Sequence, residues 1–487
     1  MIPFLYRLRK EIRMERRGNS FLIISEIPLN VVRVAQRAAG ILQLCDGVRT
    51  LKEIAQETLS MNEEQVYAIC DYFNKKGVLE IETAHRCDKW PSVTVIIPAK
   101  DRQDVLAECL ESVFCQDYPK GQIEVTVIDD GSRDGTRDVA VRFPCNLLTN
   151  RRSRGQSYCR NLGAQQAHGE ILAFLDSDCV ASDTWLKSLV TYFQWDEVGA
   201  VGGYVDGYFH ASALDRYEKA FSPLNMGNHI LYGRNSSSTL YAPTCNLLVR
   251  RNVYAETGGI KESMHVGEDV DFCWRMRKAG YGMLYIPAGT VEHKHRNGLR
   301  RMMRRRVEYG TSEALLYALH EDKKKTFQAP PLAALALLFL CISVVLSSIL
   351  PLYTALGCVA LEAGMKAFGI AKRRLRISPW KTCFSVLRSH FSFFYFVSFH
   401  MIRYYMVLLL LLGIFFHPLW YLGLSMLLVS SSVDYTVKRP LLSFPLFLFF
   451  YTIDHISYQL GVFAGCVRQR GFGSYTPRSM RRIAGPL

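Results

Sequence analysis

Carboxylates cluster in this 487-residue chain at the points where apolar runs stop. In "EILAFLDSDCV" (170–180), the unbroken run from Ile171 to Leu175 ends in Asp176-Ser177-Asp178. Two acids at i and i+2 of a strand end lie on the same side of the pleat, and a bend there lets both reach one divalent ion. Hard cations such as Mg²⁺ and Mn²⁺ take oxygen ligands and share their coordination with phosphates, and a cation so held neutralises a diphosphate leaving group. A solvated turn accounts for the same pair. A second run ends in Asp129-Asp130 ahead of Gly131-Ser132, a turn sequence. A carboxylate there accepts an N–H from a nucleobase or simply closes an Asx turn. "RGQSYCRNLGA" places Arg160 and Asn161 at the start of a helix behind a glycine, which suits phosphate oxygens or an exposed basic turn. Further on come Glu268-Asp269, Asp271 and His293. One of these acids fits a general base on an acceptor hydroxyl. Acids also collect at helix N-termini because of the helix dipole. Asp271, two residues after Asp269, faces elsewhere if the segment is helical. His293 completes a metal shell or is structural.

These residues need elements that bring strand ends together. "SVTVIIPAKDR", "IEVTVIDDGSRDGT" and "EILAFLDSDCV" read as strands, with "VLAECLESVFCQDY" as a helix between the first two. Strands alternating with helices predict a parallel sheet covered on both faces. In such sheets ligands bind beyond the carboxyl ends of the strands, where Lys100-Asp101-Arg102, Asp129-Asp130 and Asp176-Asp178 all fall. This zone, 89–325, follows a small mixed unit, 1–88. There Thr50 and Glu53 form a capping box, an amphipathic helix stops at Gly77, and helices with short strands predict a winged-helix module.

The third zone, 326–487, is apolar. "PPLAALALLFLCISVVLSSIL" is about 20 residues, long enough to cross a bilayer. A weaker span carries Glu362 and Lys366, and a further hairpin turns near His417-Pro418. A last apolar segment, interrupted by Pro445, Asp454 and His455, reads as a span or an interfacial helix. About four transmembrane helices plus interfacial helices are expected. Lys372, Arg373, Arg374, Arg376, Lys438 and Arg439 fall on one side of such spans. The positive-inside rule makes that side cytosolic, so the expectation is a multi-pass protein of the cell membrane with its strand-rich domain in the cytosol. The basic helix after His293, "GLRRMMRRRVEYG", is expected to lie in the interface.

Composition agrees with a soluble part joined to a membrane part: 49% hydrophobic residues, 21% charged, net charge +15. The basic residues gather beside apolar segments and no nucleic-acid motif is present, so a membrane lipid surface is favoured over nucleic acid. The 14 cysteines are scattered and include no CxxC pair, which argues for reduced core thiols rather than a disulfide framework or zinc site. The N-terminus is too charged for a signal peptide.

With these residues in view, "VTVIIPAKDR", "VIDDGSRDGT", "RNLGAQQAHGEILAFLDSD" and "TGGIKESMHVGEDVDFCWRMRKAGYGMLYIPAGTVEHKHR" resemble, in order, the motifs of the family-2 inverting glycosyltransferases. The resemblance implies an α/β GT-A (Rossmann-like) fold, a nucleotide-sugar donor, usually a UDP-sugar, and a divalent cation, Mn²⁺ or Mg²⁺. It places the cation at Asp178, with Asp176 on the ribose or the cation, Ser177 between them and His293 as a further ligand. Pro98, Lys100, Asp101 and Arg102 fall in the nucleotide pocket, with Asp129 and Asp130 toward the base. Asp269 becomes the catalytic base, with Glu268 beside it. Ala99-Lys100-Asp101 departs from the family's usual aromatic–Asn/Asp pattern, and the QxxRW motif of processive synthases is absent. "AAGILQLCDGVRTLKEIAQE" and "NKKGVLE" resemble the PqqD-like family of winged-helix modules that bind leader peptides. The three zones together resemble the glycosyltransferases of mycofactocin biosynthesis. That implies β-linked glucose moved from UDP-glucose to a peptide-derived redox cofactor or its precursor. A membrane glycosyltransferase making a surface polysaccharide or glycolipid is the alternative. A non-catalytic docking protein is a third reading, opposed by the intact Asp130, Asp176, Asp178 and Asp269.

Overall fold

The structure is a computed structural model of the chain. It describes residues 4–26, 29–58, 61–83, 89–233, 239–295, 298–323, 326–327, 329–476 and 478–479. The expected domain boundaries at 88 and 325 fall outside the described residues.

Among the described residues the N-terminal unit holds three helices, Gln36–Leu44, Leu51–Glu57 and Glu63–Lys75, and two three-stranded sheets. The capping box expected at Thr50 is present: Thr50 Oγ1 accepts from the Glu53 N–H at 3.3 Å and Glu53 accepts from the Thr50 N–H at 2.7 Å. Gly77 takes φ +70° just past the third helix, the left-handed turn that glycine supplies at a helix end. One sheet runs Asp46–Thr50, Phe4–Leu8, Leu79–Thr83; the other runs Arg13–Arg17, Ser20–Glu26, Leu29–Ala35. The helices bury Ile41, Leu42, Ile54, Val66 and Phe73 in a core continuous with that of the central domain. Tyr67 packs edge-on against Tyr232 of that domain, ring centroids 5.8 Å apart.

The central domain is built on an eight-stranded sheet in the order Leu231–Gly233, Gly282–Tyr285, Val198–Gly202, Leu247–Arg250, Ile171–Phe174, Val93–Ala99, Ile123–Asp129, Asn146–Thr149. The last four are mutually parallel, so their carboxyl ends share one edge. The sheet as a whole is mixed rather than parallel. Leu247–Arg250 runs antiparallel to both of its neighbours, and Leu231–Gly233 to Gly282–Tyr285. These strands are three or four residues long, too short for a period to be read. Leu247–Arg250 is entered from a 3₁₀ turn, Thr244–Asn246, instead of a covering helix, so nothing forces it parallel. "EILAFLDSDCV" also divides. Ile171–Phe174 stays in the large sheet, and Cys179–Ala181 joins a small sheet with Val291–His293 and Val205–Gly207. Asp176 and Asp178 therefore sit in the link between two sheets, closed by the Cys179 N–H donating to the Asp176 carbonyl at 3.0 Å. They do not share a pleat face.

Beyond the sheet come Leu299–Leu319 and five further helices, Pro331–Leu346, Leu350–Lys372, Pro379–Leu412, Pro418–Lys438 and Phe444–Arg468. Among the described residues two of them, Leu350–Lys372 and Pro379–Leu412, are long and apolar enough to cross a membrane, against the four expected; Pro331–Leu346 is apolar but shorter. The turn expected near His417-Pro418 separates two helices as read. Pro445 stands in the first turn of Phe444–Arg468, where its missing N–H costs nothing, so this helix is unbroken.

Leu299–Leu319 is not a surface helix on its inner side. It crosses Phe444–Arg468 at backbone contact: a Cβ at Gly465 would lie 2.5 Å from the Thr311 carbonyl oxygen, and one at Gly310 or Gly461 would also strike backbone. Arg306 is buried there, donating to Glu218 at 2.6 Å and to Asp454 at 2.8 Å. Asp454, read in the sequence as interrupting an apolar segment, is the counter-charge of an arginine on the neighbouring helix.

Candidate active site

The carboxyl edge of the parallel strands opens into a cavity of about 1090 Å³. Its floor carries Pro98, Lys100, Arg102, Asp130, Asp176, Ser177 and Asp178. Helix Gln156–Gln166 brings Arg160, and helix Glu268–Lys278 brings Glu268 and Asp269. Each helix starts directly after a glycine at positive φ, Gly155 (+91°) and Gly267 (+78°), which lets the chain turn sharply from loop to helix.

Asp130 is buried and accepts four hydrogen bonds, from Asn150 Nδ2 (2.9 Å), Ser153 Oγ (2.7 Å) and the N–H groups of Arg154 (2.8 Å) and Gly155 (2.9 Å). Burial opposes its charge, but these donors outweigh it and hold the carboxyl below its ordinary range. Asp130 thus shapes the 150–155 loop at the cavity edge. Asp129 is fully buried outside the cavity lining. Its carboxylate accepts from the Ser132 N–H at 3.0 Å and from Arg137 at 2.5 Å. Asp101, at φ +52° and also off the lining, ties 101–103 to the next loop through the Arg133 N–H at 2.9 Å.

Arg160 does not stand free for phosphate. It is 1% exposed and donates to Asp176 at 2.6 Å and Glu268 at 3.1 Å. Burial works against the Asp176 charge, yet Arg160 holds that carboxyl below the usual range. Asn161 faces away from the cavity, bonded to the Ile260 carbonyl (2.8 Å) and Tyr254 (2.7 Å). Both side chains serve the protein's own framework, because the helix start is buried rather than exposed.

Asp178 faces a different set. Arg102 Nη2 lies 3.3 Å from its Oδ2, and His293 Nε2 lies 3.6 Å from its Oδ1. Candidate ligand atoms of Asp178, Cys179 and His293 all lie within 4.8 Å of one another. Cys179 is fully buried, and its sulfur is a soft donor that hard cations disfavour. The carboxylate and the imidazole are therefore the donors that fit Mn²⁺ or Mg²⁺, while Asp176 is turned to Arg160. No alternation or spacing marks Cys179 or Cys245 in the sequence; only the hard–soft argument separates them from the ligands.

Asp269 behaves unlike Asp130 and Asp176. It lines the cavity with its Oδ1 accepting its own helix's Val270 N–H at 2.8 Å. Burial, and then the adjacent Glu268 carboxylate, raise it to about 7. Asp271, as expected, points elsewhere: it is fully buried and bonded to Lys261 (3.0 Å), Arg275 (2.7 Å) and His320 (2.9 Å). Sequence reasoning missed the cavity's far wall. Arg301, Arg305 and Tyr309 of Leu299–Leu319, with Arg403 and Tyr458 from the later helices, close it. The signal was the arginine run 300–306, which reads equally as a lipid-facing stripe.

Residues 94–258 match the family model described as Glycosyl transferase family 2. The chain carries a family-2 glycosyltransferase domain. It is 29% identical over 331 residues to the pre-mycofactocin glycosyltransferase of Mycobacterium tuberculosis, in strains CDC 1551 and H37Rv, covering 66% of this chain and 65% of the relative. It is 34% identical over 202 residues to the glycosyltransferase AglE of Haloferax volcanii, covering 40% of this chain and 64% of that one. The alignments thus span a little under two thirds of the relatives' own lengths. Among solved structures, a mannosyltransferase from Pyrobaculum calidifontis in complex with GDP-Man and Mn²⁺ matches at TM-score 0.38 and 19% identity, covering 70% of this chain and 99% of that one.

Proposed function

We propose that the chain is a membrane-associated inverting glycosyltransferase that moves glucose from UDP-glucose to a peptide-derived, mycofactocin-type acceptor, forming a β-linkage. The observation that carries the chemistry is Asp269, a carboxyl raised to about 7 in the cavity that also holds Asp178 and His293. A general base works best with a pKa near the operating pH. The likeness to the pre-mycofactocin glycosyltransferase supports the choice of acceptor. The PqqD-like resemblance of 1–88 gives the N-terminal unit a role in presenting a peptide.

In this reading Asp269 takes the proton of the acceptor hydroxyl as that oxygen attacks the anomeric carbon. The bond from the anomeric carbon to the diphosphate oxygen breaks on the opposite side, and the centre inverts in one displacement. Lys100, Arg102, Arg301 and Arg305 line the same cavity and offset the charge that develops on the diphosphate. Asp178 and His293 would hold Mn²⁺ or Mg²⁺, which when bound supplies further charge neutralisation. The Arg160 pairs to Asp176 and Glu268 fix the floor on which these groups stand. Membrane association rests on the two long apolar helices and on the many exposed large side chains along them, Leu350, Tyr353, Phe368 and Phe391 among them.

The test is UDP-glucose hydrolysis and transfer by the purified full chain with Mn²⁺, with and without a mycofactocin-type aglycone, read by mass spectrometry. Stepwise hexose additions to the aglycone are expected, and Asp178→Asn is expected to abolish the response to added Mn²⁺. Hydrolysis without transfer moves the acceptor to a lipid or polysaccharide; an unaltered Mn²⁺ response in the variant removes the metal assignment.

A further inference from the structure

A second chamber, of about 410 Å³, lies behind the main cavity and shares Pro223, Arg306, Glu313, Arg403 and Tyr458 with its wall. It is set between helix Ala213–Phe221 of the central domain and the helices Pro379–Leu412 and Phe444–Arg468. Its surface is mostly aromatic: Phe221, Phe399 and Tyr451 face it, and Phe399 meets the His455 ring edge-on at 5.4 Å.

The charges of this chamber are already engaged. Arg306 holds Glu218 and Asp454, and Arg403 lies 3.6 Å from Asp454 and stacks on Tyr458 at 3.4 Å. Glu313 accepts from Tyr404 at 2.8 Å and from Tyr458. The remaining tyrosine hydroxyls of the wall also have acceptors, Tyr217 on Asp454 at 3.2 Å and Tyr451 on Asp434 at 2.6 Å. Against this, His455 is 3% exposed, and its Nδ1 has no hydrogen-bond partner among the described residues. A buried polar atom of this kind seeks one partner.

These facts decide what fits. A diphosphate is excluded, since among the described residues of the wall each cation is already paired and burying an unpaired charge is costly. A pyranose, with several hydroxyls to satisfy, finds too few open polar groups. A neutral ring with a small polar substituent matches aromatic walls and the open Nδ1 of His455. We propose that this chamber is the acceptor's aglycone subsite, holding a neutral, ring-bearing, non-sugar end of the acceptor while its hydroxyl end enters the main cavity toward Asp269. The proposal rests on the glycosyltransferase reading and adds to it the chemical class of the acceptor and its route, past Arg403 and Tyr458.

The test uses the full chain in detergent with UDP-glucose and Mn²⁺ and two probe acceptors, phenyl β-glucoside and methyl β-glucoside. The wild type is expected to prefer the phenyl acceptor in kcat/KM by tenfold or more. Phe399→Ala, and independently Phe221→Leu, are expected to bring that ratio close to one. Absence of a phenyl preference in the wild type, or a ratio unmoved in both variants, overturns the proposal. Saturation-transfer NMR on phenyl β-glucoside needs no turnover: stronger saturation of the phenyl than of the sugar protons, lost in both variants, is expected, and the reverse order overturns the subsite. A wild type that neither hydrolyses UDP-glucose nor transfers its sugar counts against the glycosyltransferase reading, and the NMR result then still decides what the chamber holds.

Discussion

At the residue scale, one acid in the cavity is held near neutrality while its neighbours are kept charged. Asp176 is held down by Arg160 and Asp130 by four donors, whereas Asp269 is lifted to about 7 by burial and Glu268. Two consequences follow with definite signs. In its proposed role as base, Asp269 works only when ionised, so kcat/KM for transfer is expected to fall about tenfold per pH unit below 7 and to flatten above it. Asp269→Asn is expected to cut transfer by about 10²–10⁴-fold while UDP binding, followed by calorimetry, survives. In folding, the raised value means the native state holds a proton that the unfolded chain, at an ordinary carboxyl value of about 4, has lost. Stability is therefore lost as pH rises from about 4 to 7. Asp269→Asn removes that loss, so its melting temperature relative to wild type is expected to be higher at pH 8 than at pH 4. A melting difference from wild type that is the same at pH 4 and pH 8, or normal transfer by the variant, moves the base elsewhere.

The acids themselves were legible because they end apolar runs, a pattern that survives in one sequence. Their partners were not. Nothing in "RGQSYCRNLGA" distinguishes an arginine aimed at a phosphate from one buried between Asp176 and Glu268, because that depends on which helix face the fold covers. In the same way, the i, i+2 spacing of Asp176 and Asp178 shows one pleat face only if the strand continues, and here it breaks between two sheets.

At the scale of elements, the decisive contact is the crossing of Leu299–Leu319 with Phe444–Arg468. Gly461 and Gly465, four residues apart on one face, let the two backbones meet, the small-residue packing typical of close helix pairs. Leu299–Leu319 carries Arg305 and Tyr309 of the cavity wall, so the crossing positions them. Gly461→Leu places a branched side chain against the Val307 carbonyl and is expected to destabilise by about 3 kcal/mol, through overpacking, and to lower transfer in parallel. Gly357→Leu, where a Cβ meets nothing within 4 Å, is the matched control and is expected to stay within about 0.5 kcal/mol of wild type. Thermal melts of both in the same detergent decide; equal melts would mean that the crossing yields freely. The glycines were visible in the sequence, but their pairing with a helix some 150 positions earlier was not, since a single chain records no partner for a small-residue face.

At the scale of the whole molecule, the central domain and the apolar helices wall the same cavities rather than standing as separate units. Arg306 is shared between Glu218 of the domain and Asp454 of the last helix, and both cavities take Arg403 and Tyr458 in their walls. Composition reports only what each stretch is made of, never which stretches close a cavity together. Cutting the chain after residue 323 would strip Arg306 of Asp454, expose the glycine face of Leu299–Leu319 and open the far wall. Leaving half of a buried charge cluster in place costs about 3–5 kcal/mol, comparable to a domain's whole margin of stability. The truncated chain is therefore expected to melt well below the full chain and to lose transfer by more than about 10²-fold, even though every acid of the sheet edge is retained. Co-expression of 329–487 as a separate piece is expected to restore part of both, because the contacts between the pieces are side-chain and backbone packing rather than chain connection. A truncated domain with full transfer and an unchanged melt would show that the helices serve only as an anchor.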